Sequence, residues 1–172
     1  SNPLVRSLVN MCELAKSRWD LSSVLRLFNQ QEFRGWVSSL GVVWGMDEAH
    51  RKECFAKDYG VELELTGEEQ WSWEFGFKRL LEEGKEGKKW IDLLRSLYND
   101  LSPLRENEQR SLGDWLKYIE GVFYRYFSIE EDSESFEELE KGLADFLFSI
   151  EHVKELFFPF STFEYHLRHF FS

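Results

Sequence analysis

The chain has 172 residues, of which 42% are hydrophobic and 17% aromatic, so it can bury a core and is not intrinsically disordered. Its 32 acidic and 21 basic residues give a net charge of -11, which disfavours binding of free DNA or RNA because such a surface repels phosphates. Two cysteines cannot build a disulfide framework and fit a reducing cytoplasm, and no apolar run approaches the ~20 residues that a membrane-spanning helix needs.

Apolar residues recur at helical spacing along most of the chain. In its first third, such stripes lie in residues 4–15, 21–28 and 33–40. Gly41 follows the third stripe and is predicted to be the C′ residue that ends this helix. Asp47 is predicted to be the N-cap of a short fourth helix that runs through Cys54.

One stretch has the alternating period of a β-strand instead. Residues 61–65 read Val-Glu-Leu-Glu-Leu, and the only candidate partner for such a strand is Val42–Trp44. The sequence therefore allows one short two-stranded ribbon, which would be marginally stable by itself.

Helical spacing resumes in the rest of the chain. Thr66 is a candidate cap for a helix over residues 68–83, and Ser102-Pro103 is predicted to be a turn. Ser161 and Glu164 have the spacing of a capping box for the last helix. Further helical stripes lie in residues 90–101, 112–126, 136–150 and 163–170.

These patterns predict an all-α fold. We expect eight or nine helices in an irregular multi-helix arrangement, with residues 1–172 as a single domain. A chain that opens on Ser1-Asn2, without Met, also fits a piece excised from a longer protein.

The glycine-rich stretch at residues 84–89 invites two catalytic interpretations. Its Gly-Lys-Glu-Gly-Lys-Lys order is similar to a phosphate-binding loop, but Lys89 stands where a Walker A loop has Ser or Thr, and the preceding element is a predicted helix. Glu83-Gly84-Lys85 and Glu86-Gly87-Lys88 have the Glu-x-Lys spacing of many metal-dependent nucleases, whose sites must be fixed on a strand. We therefore interpret the stretch as a solvated helix–helix loop, and we expect no cofactor.

Two groups of residues could hold a metal or act as a nucleophile. His50 and Cys54 are four residues apart on a predicted helix, where a Cys–His pair or half a zinc site is conceivable. Glu164, His166 and His169 cluster near the end of the chain. Each group offers too few ligands for a metal site, so structural roles are favoured and no metal is expected.

The Trp71-Ser72-Trp73 sequence could stack against unpaired bases, but acidic residues surround it, so packing is the favoured interpretation. Trp44 and Trp73 are predicted to be core residues.

Residues 130–141 hold seven acids and one base. Such a run is either a solvated helix start or a surface for a basic partner, and the sequence leaves both open.

One local patch runs against the acidic charge of the chain. If the protein contacts DNA within a larger enzyme, this patch is the candidate to guide a DNA backbone without reading bases, and solvated side chains are the simpler alternative. Its residues are Lys78, Arg79, Lys85, Lys88 and Lys89.

Three blocks of sequence resemble the RecC family, the gamma chain of the bacterial RecBCD helicase–nuclease, exodeoxyribonuclease V. Gly41–Arg51 is similar to the family's Gly-Ile-Arg-Trp-Gly-Leu-Asp block with His-Arg close behind, and Trp73–Leu81 to its Trp-x-Phe-Gly-Leu-x-Arg-Leu-Leu helix. Arg110–Leu116 resembles a weaker Arg-Pro-Leu-Glu-Glu-Trp-Leu block. The chain departs from the family at Val43, where Arg is usual, and at Glu82–Glu86, where the family often has Leu-Gly-Tyr-Ala-Met. The residues that carry the signature, all expected to be structural, are Trp44, Gly45, Asp47, His50, Arg51, Trp73, Phe75, Gly76, Arg79, Leu80 and Leu81.

The resemblance implies a non-catalytic scaffold, similar to the helical insertion in the helicase-like half of RecC. It implies a cytoplasmic protein with RecB-like and RecD-like partners, which supply nuclease and motor activities, and contact with DNA only in the full enzyme. Break repair, recombination and Chi-regulated resection would be functions of that whole enzyme. Two alternatives stay open: a free-standing acidic helical interaction module, and a small metalloenzyme with His and Glu ligands. An open reading frame several times longer than this chain would support the scaffold.

Overall fold

The computed structural model describes residues 2–62, 68–106, 108–131 and 133–172. The chain divides into two compact units. One unit is Lys16–Tyr98, and the other combines the residues up to Ala15 with Asn99–Ser172. Each unit has its own set of buried aromatic side chains.

Ten α-helices and one pair of short strands account for most of the described residues. The helices are α1 Pro3–Lys16, α2 Leu21–Leu27, α3 Gln31–Ser38, α4 Glu48–Tyr59, α5 Trp73–Glu82, α6 Lys88–Asp100, α7 Ser102–Arg105, α8 Leu112–Tyr126, α9 Glu134–Ser149 and α10 Phe160–Phe171. A 3₁₀ turn, Glu68–Trp71, precedes α5. The strands β1 Gln109–Ser111 and β2 Phe157–Pro159 pair antiparallel, with Arg110 opposite Phe158. The predicted all-α class is confirmed.

The described residues hold one helix more than the upper number predicted. The additional helix is α7, a single turn where the sequence indicated only the Ser102-Pro103 turn. Pro103 fits the first turn of a helix because its missing N–H would have no intrahelical partner there.

Side-chain caps begin most of the longer helices. Asp47 accepts a hydrogen bond from the His50 amide at 2.8 Å, so the predicted N-cap of α4 is confirmed. This helix continues beyond Cys54 to Tyr59 and ends at Gly60, whose φ of 69° is left-handed. The other capping side chains are Asp20, Ser72, Ser111 and Ser133.

Two predicted helix boundaries, the end of α3 and the start of α10, are wrong. Helix α3 ends at Ser38 with Ser39 as its C-cap, so Gly41, with φ of 68°, lies beyond the C′ position. The capping box of Ser161 and Glu164 is not formed, because β2 leads directly into α10 and places Pro159 at the N-cap without a side-chain bond. Glu164 is instead a buried residue within α10, and its carboxylate lies 3.5 Å from the guanidinium of Arg168.

The ribbon lies in a different part of the chain from the predicted one. Val42–Trp44 is not a strand in the described part of the chain. Residues 63–67, which include Thr66 and most of the proposed partner strand, lie outside the described residues. The observed ribbon is anchored by the Trp115 indole N–H, which donates to the Phe158 carbonyl at 2.8 Å.

Large aromatic side chains fill both cores. In the unit Lys16–Tyr98, Trp73 packs 6.1 Å from Phe77 between ring centroids, and Trp36 stacks on the same Phe77. In the other unit, Trp115 and Phe160 meet edge to face at 5.3 Å. Such pairs add about 0.5–1.5 kcal/mol each to the free energy gained by burial. No helix among the described residues is long and apolar enough to cross a bilayer.

Candidate functional site

The connection from α3 to α4 is held on both sides by backbone hydrogen bonds. The Val43 amide donates to the Trp71 carbonyl at 2.8 Å, and the Val43 carbonyl accepts from the Leu21 amide at 3.0 Å. The Gly45 amide donates to the Arg18 carbonyl at 2.7 Å. These bonds are isolated and come from different segments, so the stretch from Val43 to Gly45 forms no β-ladder.

The two stronger blocks of the signature bind each other. The amides of Trp73 and Glu74, at the start of α5, donate to the carbonyls of Gly45 and Met46 at 2.9 and 2.8 Å. The Ser72 side chain accepts from the Phe75 amide at 3.3 Å. The first turn of a helix has amides without intrahelical partners, and the Gly45–Met46 stretch supplies two of those partners.

Arg51 is a buried cation that packs on an aromatic ring. Only 3% of Arg51 is exposed, and its guanidinium carbon lies 4.3 Å from the Trp44 ring centroid. A Cβ on Gly45 would lie 2.2 Å from Cγ of Arg51, so only glycine permits this approach. Trp44 itself is half-buried, so its predicted place in the core is wrong: it covers the arginine at the edge of the unit.

Arg79 binds the end of α3. Its Nη2 donates to the Ser39 carbonyl at 3.0 Å and to the Leu40 carbonyl at 2.7 Å. Gly76, one turn earlier on α5, lets the helix approach closely, because a Cβ there would lie 3.2 Å from the Leu40 carbonyl oxygen. A cation at the last carbonyls of a helix is stabilising, so Arg79 serves the packing of α5 on α3.

The basic patch is therefore smaller than its sequence indicates. Arg79 is engaged with the carbonyls at the end of α3, and Lys85 pairs with Glu83 at 3.0 Å. All four lysines of the patch, Lys78, Lys85, Lys88 and Lys89, are exposed. Its role in contacting DNA stays a prediction.

The glycine-rich stretch connects α5 to α6, as predicted for a helix–helix loop. Gly87 has φ of 135°, and a Cβ there would lie 2.1 Å from the Trp36 indole nitrogen. That indole donates to the Glu86 carbonyl at 3.2 Å. The glycine thus serves a tight contact between the loop and a tryptophan.

The signature residues of α5 divide into a buried and an exposed set. Trp73, Gly76 and Leu80 are buried in the unit. Phe75 and Leu81 are 39% and 47% exposed. Packing within this unit explains the first set and not the second.

Trp19 contributes to the site without a signal in the sequence. It is fully buried with φ of 52°, a left-handed conformation that non-glycine residues rarely adopt. Its carbonyl accepts the Trp73 indole N–H at 2.7 Å, across 54 positions of sequence. The left-handed backbone at Trp19 accompanies this bond to α5, which local periodicity cannot reveal.

His50 and Cys54 do lie close together, but the histidine is in the wrong tautomer to act as a base on the thiol. Nδ1 of His50 accepts from the Met46 amide at 3.0 Å, so in the neutral ring the proton resides on Nε2. Nε2 lies 3.2 Å from the Cys54 sulfur and can only donate towards it. A general base would need an unprotonated nitrogen at this place.

Cys54 is expected to react slowly with alkylating agents. Burial, followed by the negative charge of Asp58, raises the pKa of its thiol to about 11. At pH 7.5 we expect iodoacetamide to modify Cys54 at least about tenfold more slowly than free cysteine, with a rate that still increases above pH 9. Mass spectrometry of the alkylated peptides checks this. A rate that has already levelled off near neutral pH would indicate a thiolate–imidazolium pair and contradict it.

A cavity of about 490 Å³ lies in the part of the structure that contains the end of the chain. His166 and His169 on α10 and His152 contribute to its wall, which also contains Phe146 and Phe170. Glu164 is not part of this lining and is buried beside Arg168. Among the described residues, no group of three or more His, Cys, Asp or Glu side chains is placed to hold a metal ion.

Comparison with known families places one segment. Residues 29–82, which are 54 of the 172 residues, match the family described as RecBCD enzyme subunit RecC fourth domain. This segment contains Gly41–Arg51 and Trp73–Leu81, whereas Arg110–Leu116 lies outside it. No curated protein and no solved structure matches the chain. Residues 29–82 are therefore RecC-related, since they match the fourth domain of that RecBCD subunit.

Proposed function

We propose that the chain is a non-catalytic scaffold domain of a RecC-like subunit, part of a cytoplasmic helicase–nuclease that processes DNA ends. The observation that carries the proposal is the RecC fourth-domain match of residues 29–82. RecB-like and RecD-like subunits would be its partners, and DNA would be contacted only within the assembled enzyme. We further propose that residues 1–172 act as one domain, similar to the helical insertion of the helicase-like half.

The internal contacts of the matched segment support a structural role. Arg79 joins α5 to the end of α3, and Gly45 lies against Arg51 of α4, which packs on Trp44. His50, which could have paired with a nucleophile, donates towards a thiol of raised pKa. These contacts support a structural role for the signature residues.

Exposed apolar side chains in the same segment support a role in assembly. Val43, Trp71, Phe75 and Leu81 are between 39% and 55% exposed. Contiguous apolar surface is typical of sites that other chains cover, and Val43 and Trp71 are neighbours through the hydrogen bond of the Val43 amide to the Trp71 carbonyl. Such a surface suits a domain that works inside a larger complex.

The purified protein is expected to hydrolyse neither ATP nor DNA in the presence of Mg²⁺. The glycine-rich loop between α5 and α6 is tied to Trp36 and follows a helix, so it lacks the geometry of a phosphate-binding loop. Phosphate release and cleavage of labelled DNA measure the two activities. Activity that is lost in the combined variant Glu83→Gln, Lys85→Ala and Lys88→Ala would overturn the proposal, whereas activity that survives those changes is a contaminant.

The isolated protein is also expected to bind DNA weakly, with no useful affinity at physiological salt. Tight binding needs several phosphates neutralised by clustered Lys and Arg, and Arg79 of the basic patch is already held by the carbonyls that follow α3. Fluorescence anisotropy with single- and double-stranded DNA across a salt series measures this. Micromolar binding at physiological salt, lost when Lys85, Lys88 and Lys89 are changed to Glu, would contradict it.

A further inference from the structure

A groove lies where α8 ends and α9 begins, in the unit that contains Asn99–Ser172. Its volume is about 350 Å³, within the range of sites that accept small ligands or a large side chain. The groove is outside the segment that matches RecC, so a role for it is independent of the proposed function. Its lining residues are Tyr124, Phe127, Ile129, Glu131 and Phe136.

The walls of the groove are aromatic and preformed. Tyr124 and Phe136 meet edge to face with ring centroids 6.3 Å apart, which joins the two helices. Phe127 stacks on Phe123 at 4.8 Å, and Phe123 is itself buried in the core. Rings held this way offer an apolar surface without further ordering, which favours binding of a rigid apolar group.

The rim of the groove is acidic. From Tyr126 to Glu140 the sequence has no Lys or Arg, and Glu130, Glu131, Glu134 and Glu137 are exposed. Arg125, which precedes this stretch, pairs with Asp100 at 2.7 Å. The helix dipole at the start of α9 stabilises the acids of its first turn, but Glu130 and Glu131 precede that helix.

Carboxylates beside the groove repel each other. Burial and then the negative charge of Glu140 raise the pKa of Glu120. The Tyr124 hydroxyl donates to the Glu140 carboxylate, and burial followed by this bond raises the pKa of Tyr124. A cation brought by a partner would relieve this repulsion.

We propose that the groove binds a basic segment of a partner protein. One large apolar side chain of that segment enters between Tyr124, Ile129 and Phe136, and flanking Lys or Arg side chains face the acidic rim. The apolar walls select the anchor and the rim selects the charge, because complementary potentials raise both association rate and specificity. The described acids Glu130, Glu131, Glu134 and Glu137 then form a docking surface and not only a solvated helix start.

Fluorescein-labelled peptides test the proposal with the full chain. The probe has three Lys on each side of a central Trp, and its control has Gly in place of Trp. We expect the Trp peptide to bind at least about fivefold more tightly, since truncation of an anchor costs more than about 1 kcal/mol. Equal affinity of the two peptides, or no binding of either at low salt, would overturn the proposal.

Two variants locate the site. Changing Glu131, Glu134 and Glu137 together to Gln is expected to weaken binding of the Trp peptide at least about fivefold. The matched control changes Glu32, Glu53 and Glu86 to Gln, which are exposed residues of the other unit, and should alter the affinity less than about twofold. Equal weakening in both would mean that net charge alone attracts the peptide, which contradicts the proposal.

The second variant is Ile129→Ser, which removes part of the wall without changing charge. It should reduce the affinity of the Trp peptide to that of the Gly peptide and leave the Gly peptide unaffected. Because Ile129 lies in the loop between α8 and α9, this variant should keep its fold, which circular dichroism verifies. An unchanged preference for the Trp peptide would place the anchor elsewhere and refute the proposal.

Discussion

Replacement of Trp73 by alanine is expected to lower the free energy of unfolding by about 3–5 kcal/mol, the usual cost of removing a buried tryptophan. Trp73 is fully buried at the start of α5 and packs on Phe77. Its indole N–H donates to the Trp19 carbonyl, which the variant leaves without that donor. Urea denaturation followed by circular dichroism measures the loss.

Trp71 provides the matched control, since it is two positions away and 44% exposed. Trp71→Ala should change the free energy of unfolding by less than about 1 kcal/mol. A second variant, Trp73→Phe, keeps an aromatic ring but removes the N–H donor, and its loss should be intermediate. If Trp73→Ala and Trp71→Ala had equal effects, Trp73 would not be a packing centre of its unit.

Gly45→Ala is expected to cost about 2–5 kcal/mol, the second large effect, as the sum of backbone strain and overpacking. The left-handed φ of 84° contributes about 1–2 kcal/mol of strain for a residue with a Cβ. The new Cβ would lie 2.2 Å from Cγ of Arg51, so the arginine must also leave its place on Trp44, with an overpacking cost of about 1–3 kcal/mol.

A substitution at Gly60 measures backbone strain without overpacking, and so separates the two contributions to the cost of Gly45→Ala. It has φ of 69° at the end of α4, but nothing lies within 4 Å of an added Cβ. Gly60→Ala should therefore cost only about 1–2 kcal/mol, from backbone strain alone. Equal destabilisation by Gly45→Ala and Gly60→Ala in the same urea titration would mean that the contact with Arg51 has no energetic weight.

The helices were predictable because their signals are local. Stripes of apolar residues every three to four positions, and a cap such as Asp47, depend only on neighbours along the chain. The single turn α7 was missed because four residues are too few to show a period, so only its Pro was visible. The capping box failed for a different reason, since β2 fixes where α10 begins.

The parts of the site that depend on distant segments could not be predicted. The bonds of Arg79 to Ser39 and Leu40 cross about 40 positions, and those of Trp73 to Trp19 cross 54. The β1–β2 pairing joins residues that α8 and α9 separate along the sequence. Trp44 was predicted to be a core residue because its neighbours are apolar. That pattern does not indicate whether the ring covers a buried cation such as Arg51.

The family resemblance was visible because short blocks of unusual residues lie in order. Gly45, Gly76 and Trp73 occupy positions where the structure tolerates almost no alternative. Arg110–Leu116 is a weaker block, and the family match does not reach it. A match confined to residues 29–82 thus supports the RecC relationship through a part of the chain whose residues are closely constrained by packing.

The most direct test of the scaffold role identifies the native protein and its companions. Antibodies raised against this chain would recover the protein from a lysate of the source cells, for mass spectrometry of the whole complex. We expect a polypeptide several times longer than 172 residues that co-purifies with RecB-like and RecD-like subunits. A native protein of about 20.6 kDa, recovered without helicase or nuclease subunits, would contradict it.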